Sequence, residues 1–342
     1  MTIYAGLDVS DKTTHICVVD GDGAVLRREV QATDPDVLAR WLNKHCRDAD
    51  GGLVRVVLET GPLSTFLYHG LVERDVPAIC ICARHAKKAL SARVNKSDVN
   101  DAESLAQLCR TGWFKAVHMK AQGTHIDRAA LKIRAQLITS RNAFANQLRG
   151  MLKLFGLRMG SVTTPNKRRE RLDALFGQRP DLRPVFQPLL DCIEALEAQL
   201  IKSAKLLDAR AAADPVATRL MSVPGVGPIT ALTFKSSVED PGRFAKSADA
   251  GAYAGLAPRR NQSGERDYNG RISKAGDPML RSALYEAANN LLVRVKRPFA
   301  LQTWGKKLAE TKGHKRARVA VARKLASLLH TLWQTETEFC WN

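Results

Sequence analysis

Apolar residues in the first 115 positions fall in short runs divided by turn residues. IYAGLD (3–8) has the continuous apolar character of a buried strand. THICVVD (14–20) follows, and after the turn GDGA (21–24) comes VLRREV (25–30). These predict a three-strand meander, with the DGDG stretch supplying its hairpin turn. PDVLARWLNKHC (35–46) has helical periodicity, with Asp34 placed as a cap and Pro35 at the first helical position. LVRVVLE (53–59) reads as a central strand, STFLYHGLVERD (64–75) as a helix and PAICICA (77–83) as another strand. DVNDAESLAQLCRTG (98–112) then predicts a helix ending at Gly112. Meander strands followed by alternating helices and strands make an α/β domain, a mixed sheet covered by helices.

From about 120 to 210 the period lengthens. IDRAALKIRAQLITSRNAFANQLRGMLKLFGL (126–157) carries Leu131 and then spaces Leu137, Phe144, Leu148, Leu152 and Phe155 by three, four or seven, with Arg128, Lys132, Arg141, Arg149 and Lys153 on other faces. TTPNKRRERL (163–172) reads as a basic, proline-punctuated linker, and PVFQPLLDCIEALEAQLIKSAKLLDAR (184–210) as a second amphipathic helix. An antiparallel helical hairpin or coiled coil fits, and on periodicity alone a plain helical bundle fits equally well. Residues 215–342 form a mainly helical block, opening on RLMSVPGVGPITALTF and closing on the basic amphipathic KRARVAVARKLASLLHTLW. The expected domains are 1–118, 119–212 and 213–342.

Composition changes this picture at one point. Length, 45% hydrophobic and 25% charged residues describe an ordinary globular chain of 342 residues. It has no apolar run of about 18 residues and no basic-then-apolar leader in MTIYAGLDVSDK, so a cytoplasmic protein with no membrane partner is expected. Seven cysteines without a CxxC pair point to reduced thiols rather than a zinc site or disulfide framework. The net charge of +19 is the telling number, and it is unevenly placed. Residues 1–115 hold 15 Lys/Arg and 15 Asp/Glu, whereas the remainder holds 38 against 19. A basic excess on that scale points to a polyanion, most often nucleic acid. The neutral part must do something other than hold phosphates.

Its acids suggest what. Asp8 lies in the first strand, where an unpaired charge is costly. Glu59 ends the strand RVVLE, and Asp98 and Asp101, three residues apart, share one face of a helix start. A solvated first turn capped by Ser97 explains that pair equally well. Strand ends and helix starts on one sheet edge converge, and four carboxylates there repel unless hard cations sit among them. Oxygen ligands without thiols select Mg²⁺ or Mn²⁺ over zinc, and two such ions about 3.5–4 Å apart suit phosphodiester cleavage. GLDVSDKTTHICVVDGDGAVL also looks like the first phosphate hairpin of sugar kinases and actin-like ATPases, but a second glycine-rich phosphate loop is missing.

Two further stretches carry chemistry. SVPGVGPITA (222–231) resembles a helix-hairpin-helix turn, in which Gly225 and Gly227 let backbone N–H groups approach a DNA phosphate; a plain helix–helix turn is the alternative. The polar loop GLAPRRNQSGERDYNGRISKAGDPMLR (255–281) gathers Arg259, Arg260, Arg266, Arg271, Lys274 and Arg281 around Ser263-Gly264. A serine among guanidiniums is a candidate nucleophile, and on chemistry alone a phosphate-binding loop with an incidental serine fits at least as well.

The order GLDVS, LETG, NKSDVNDA, VPGVGP, GLAPRRNQSG and GRISKAGDPMLR closely resembles the DEDD transposases of the insertion-sequence "one-ten" family, described as bridge-RNA-guided DNA recombinases. The resemblance covers essentially the whole chain. It implies an N-terminal RuvC-like (ribonuclease H-fold) domain, a coiled-coil segment and a C-terminal transposase domain. It also implies a tetrad of Asp8, Glu59, Asp98 and Asp101 holding Mg²⁺, for which Mn²⁺ can substitute, and Ser263 as the catalytic serine. Lys96 becomes a candidate phosphate contact. The partners implied are donor and target DNA, a guide RNA and further copies of the chain, as dimer or tetramer. The alternatives are a purely hydrolytic RuvC-like nuclease or junction resolvase, and a nucleic-acid-binding protein without activity.

Overall fold

The computed structural model describes residues 2–46, 52–90, 98–162, 164–263 and 266–341. The chain divides into two compact units, Met1–Gln122 and Gly123–Asn342. In the first, β1 (Ile3–Val9), β2 (Thr13–Asp20) and β3 (Val25–Ala32) form the expected meander. α1 (Pro35–Cys46), β4 (Leu53–Glu59), α2 (Ser64–Val72), β5 (Ala78–Ile81), α3 (Ala83–Leu90) and α4 (Asp98–Thr111) follow. The sheet order is β3-β2-β1-β4-β5. β1 is antiparallel to β2, with Asp8 opposite His15, and parallel to β4, with Leu7 opposite Leu58. The helix predicted to reach Asp75 stops at Val72, because Asp75 takes a positive φ of 57° that ends the turn.

Strand alternation sorts the two faces. Ala5, Leu7, Val56 and Leu58 pack with Leu38 and Leu42 of α1 and Leu67 and Leu71 of α2. The opposite face carries Tyr4 and Val57 against Leu105, Leu108 and Cys109 of α4, and Cys17 and Val19 against Ala102 and Ala106. Gly6 permits this closeness, since a Cβ there would collide with the α4 backbone at Ala102, Leu105 and Ala106. Gln107 Nε2 donates to the Gly23 carbonyl at 2.7 Å and Cys109 Sγ to the Arg55 carbonyl at 3.4 Å, so the C-terminal half of α4 lies over the strand starts. α4 therefore runs against β1 and β4, and its first turn sits at the edge where those strands end.

In the second unit, α5 (Gln122–Lys153) and α7 (Arg183–Ala212) run antiparallel. Leu131 shares a core with Leu207 and Ala211, and Arg210 Nε donates to Asp127 at 2.6 Å. At the other end Leu148 and Leu152 share a core with Phe186 and Ile193. Leu137 and Phe144 are half-buried, and Phe155 lies past the helix end, 40% exposed.

The expected linker 163–172 is instead the start of a helix, α6 (Pro165–Gln178). Thr164, in extended conformation, accepts from Lys167 N, and Pro165 occupies N1, where a missing N–H costs nothing. Leu172, Leu175 and Phe176 enter the core, while Arg168 and Arg169 pair with Glu197 and Glu194 of α7 at 2.6 and 2.8 Å.

α8 (Pro215–Met221), α9 (Pro228–Val238), α10 (Ser247–Tyr253), the strands β6 (Pro258–Ser263) and β7 (Arg266–Ile272), α11 (Pro278–Val293), α12 (Ala300–Lys312) and α13 (His314–Gln334) complete the unit. Leu220, Phe234, Leu284, Leu291, Val321 and Leu325 lie in one core. His330 is buried there, bonded to Ser247 Oγ and the Pro241 carbonyl, a structural histidine. Arg128 reaches from α5 to Asp277 at 2.8 Å and Ser237 at 3.2 Å.

None of the seven cysteines is in a disulfide: Cys17, Cys46, Cys80 and Cys109 are buried in the first unit, Cys82 is half-buried, and Cys192 and Cys340 are exposed. Burial pushes the thiols of Cys46 and Cys80 up to about 11 and that of Cys109 up to about 12. Among the described residues no helix is long and apolar enough to cross a membrane.

Candidate active site

The faces assigned above place the acids. Tyr4 and Gly6 of β1 and Val57 of β4 face α4, so Asp8 and Glu59, each two residues beyond a facing residue, lie on that side too. The parallel register that sets Leu7 beside Leu58 brings Asp8 beside Glu59 at the strand ends. Both are half-buried and line a cleft of about 210 Å³ together with Ser10, Asp11, Thr60 and Ser64. Thr60 Oγ1 accepts from Ala83 N at 3.2 Å, which fixes the cleft wall.

Asp98 and Asp101 open α4 at the same edge. Asp101 is in line with Leu105 and Leu108, the stripe that packs on Val57, which directs it toward the β1–β4 ends. Asp98, in line with Ala102, lies toward β2, and its Oδ2 is 3.7 Å from His15 Nε2 with the carboxylate 71% exposed. Two acids in a first turn also meet the positive end of the helix dipole. The four carboxylates thus share one edge and one face of the sheet. Among the described residues, no three Asp, Glu, His or Cys side chains are gathered closely enough to hold a metal ion. The donor set is nonetheless all carboxylate oxygen, the chemistry of Mg²⁺ and Mn²⁺. Lys96 and Ser97 lie outside the described residues. His15 escaped the sequence reading; its only signal was its place opposite Asp8 in a predicted hairpin.

The polar stretch 255–281 is not the loop expected. β6 and β7 pair as a hairpin, with Gln262 opposite Asp267 and Ser263 opposite Arg266, so Ser263 is the last residue of its strand. Gly264 and Glu265 lie outside the described residues. Arg260 binds Asp267 across the ladder through two hydrogen bonds of 2.9 and 2.5 Å, and this holds the Asp267 carboxyl below the usual carboxylate range. Arg259 donates to the Ser273 carbonyl at 3.0 Å. Arg281 donates to the carbonyls of Ala254 and Gly276 at 3.2 and 3.4 Å, bracing the hairpin base. Lys274 is exposed at a positive φ of 54°.

Gly225 has φ +90°, and a Cβ there would lie 2.9 Å from Leu291 N, so the turn rests on α11. Gly227 is the N-cap of α9, with no atom within 4 Å of where its Cβ would be. The unpaired N–H groups that begin a helix are the part of this turn suited to a phosphate.

Comparison with known proteins bears on the whole arrangement. A family model for DEDD transposases of the IS110 type matches residues 5–156, and that of the "Transposase IS116/IS110/IS902 family" matches residues 217–303. The transposase for insertion sequence element IS1111A of Coxiella burnetii is 31% identical over 335 residues, 96% of this chain and 88% of that one. A probable family 20 transposase of Pseudomonas aeruginosa is 28% identical over 253 residues, 71% of this chain and 73% of that one. A solved Thermus thermophilus RuvC covers 34% of this chain and all of its own, at 17% identity and a TM-score of 0.25, too distant to add to these matches. A mixed sheet with an acidic edge, followed along the chain by a basic helical region, both within stretches matched by transposase family models, defines here a DNA transposase. The chain belongs to the IS116/IS110/IS902 family of insertion-sequence transposases.

Proposed function

We propose that this transposase is a site-specific recombinase that moves its own insertion element by Mg²⁺-dependent strand cleavage and exchange. One observation carries the reading: the β1–β4 register sets Asp8 beside Glu59 on the face covered by α4, whose first turn brings Asp98 and Asp101 to that edge. These four would hold the divalent ions, Mg²⁺ or Mn²⁺, which supply Lewis acidity and charge neutralisation at the phosphate. Ser263 acts as nucleophile. Its Oγ–H gives its proton to water as Oγ bonds to phosphorus, the phosphorus–oxygen bond to the leaving strand breaks and that strand's oxygen takes up a proton from water, and the phosphoserine ester keeps the bond energy for rejoining. Arg259, Arg260, Arg266, Lys274 and Arg281 provide the cationic surroundings, and Gly225 and Gly227 the turn that meets a DNA backbone.

A bridge RNA reads donor and target by base pairing, leaving duplex shape and backbone to the protein. Strand exchange needs several active sites, so the working form is a dimer or tetramer, with residues 119–212 supplying an interface. The test is a cleavage reaction with purified protein, DNA, guide RNA and Mg²⁺, analysed under denaturing conditions. A protein–DNA adduct that disappears with Ser263→Ala supports the reading. Cleavage without any adduct leaves a hydrolytic nuclease.

A further inference from the structure

Between Arg294 and Lys324 eleven residues are Lys or Arg and one, Glu310, is acidic. Ten of the eleven are exposed, and among the described residues none pairs with a carboxylate. Aromatic rings stand among these cations. Lys324 Nζ lies 4.0 Å from the centroid of Trp304, and the Arg297 guanidinium 4.7 Å from that of Trp341. Phe299 joins the two sites. With Pro298, Thr303, Trp304 and Lys307 it lines an open groove of about 580 Å³, and its ring meets Trp341 edge-on at 5.8 Å. Trp341 is 38% exposed.

Packing of the C-terminal tail explains why Phe299 and Phe339 touch. It does not explain a groove floored by Pro298 and Trp304 that stays open beside so many unpaired cations. Lys and Arg alone suffice for a duplex, whose stacked bases hide their faces. An unpaired base offers its π-face to an aromatic platform while the neighbouring phosphate meets a cation.

We propose that the Pro298–Trp304 groove and the adjoining Trp341 bind unpaired nucleotides of a DNA strand, with Lys307, Arg297 and Lys324 taking the phosphates. DNA is the occupant because DNA is the polymer a transposase cuts and joins, and a strand end released by cutting presents such bases. The inference rests on the transposase assignment, but not on the metal or serine roles.

The test uses the full-length chain and an oligothymidylate of about 12 nucleotides, a length within the range such sites span. Binding is followed by tryptophan quenching and by anisotropy, beside a blunt duplex and an oligouridylate of the same length. Trp304→Ala and Trp341→Ala should each weaken oligothymidylate binding about five- to a hundredfold and leave duplex binding unchanged. Trp304→Phe, which keeps a ring, should retain most of it. Thermal melting identifies any variant that has lost its fold, and Trp341→Ala, at an exposed position, keeps the test available if Trp304→Ala has. The proposal is overturned if folded alanine variants bind oligothymidylate like the wild type, or lose duplex binding equally. Tighter, ring-dependent binding of oligouridylate would overturn the assignment to DNA.

Discussion

Asp8 and Asp277 are both half-buried carboxylates, and the structure gives them opposite work. Asp8 ends a strand in a cleft beside Glu59. Asp8→Asn and Glu59→Gln should lower cleavage at least about 10²-fold, by removing a ligand where charge develops in the transition state. Melting temperature should move by only a few degrees; retained activity in either variant would remove that residue from the metal site. Asp277 instead caps α11, accepting from Met279 N at 2.9 Å, and pairs with Arg128. Burial works to raise its carboxyl, but Arg128 and the N–H groups of Met279 and Leu280 outweigh it and hold the group below the ordinary carboxylate range. A depressed folded-state pKa means the unfolded chain takes up the proton first. The stabilisation is therefore present above pH of about 4 and is lost as pH falls below it. Asp277→Ala should cost about 3 kcal/mol or more, because it strands a largely buried Arg128. The gap in urea midpoint between wild type and variant should be smaller at pH of about 2 than at pH of about 6; a gap of equal size at both would count against a contribution from the charge of the pair.

Among elements, α4 decides whether the acidic edge exists. Its backbone rests on Gly6, so Gly6→Ala must push the helix off the sheet. We expect a loss of about 1–3 kcal/mol from overpacking and a fall in DNA cleavage, although no carboxylate is altered. Normal activity in a folded Gly6→Ala chain would show that the position of α4 does not matter. This sheet was legible because burial imposes alternation: IYAGLD and LVRVVLE could be little else. Legibility failed where burial was slight or one-sided. In β6 and β7 polar residues occupy both faces, so 255–281 read as a loop. In α6 five charges in a row hid the stripe of Leu172, Leu175 and Phe176, and Pro165 read as a breaker though it stands at N1. Asp98 and Asp101 were legible as neighbours on a helix, whereas His15 acquires its meaning only from a pairing register.

For the whole molecule, charge and chemistry are divided along the chain. The neutral first 115 residues carry the carboxylates, and the rest carries 38 Lys/Arg against 19 Asp/Glu. If 6–10 phosphates are neutralised, DNA affinity should fall on the order of 10³–10⁵-fold between 50 and 200 mM salt. A flat salt profile for the full-length chain would contradict a binding surface built from that basic excess. Thiols are distributed with the same asymmetry. Offered an alkylating reagent, the folded chain should modify Cys192 and Cys340 promptly and Cys82 more slowly. Cys17, Cys46, Cys80 and Cys109, sealed between sheet and helices, should react only in moments when that domain breathes. Their labelling rate is a clock for opening of the five-stranded sheet, readable by mass spectrometry with no added probe, while the two exposed cysteines calibrate the reagent in the same tube.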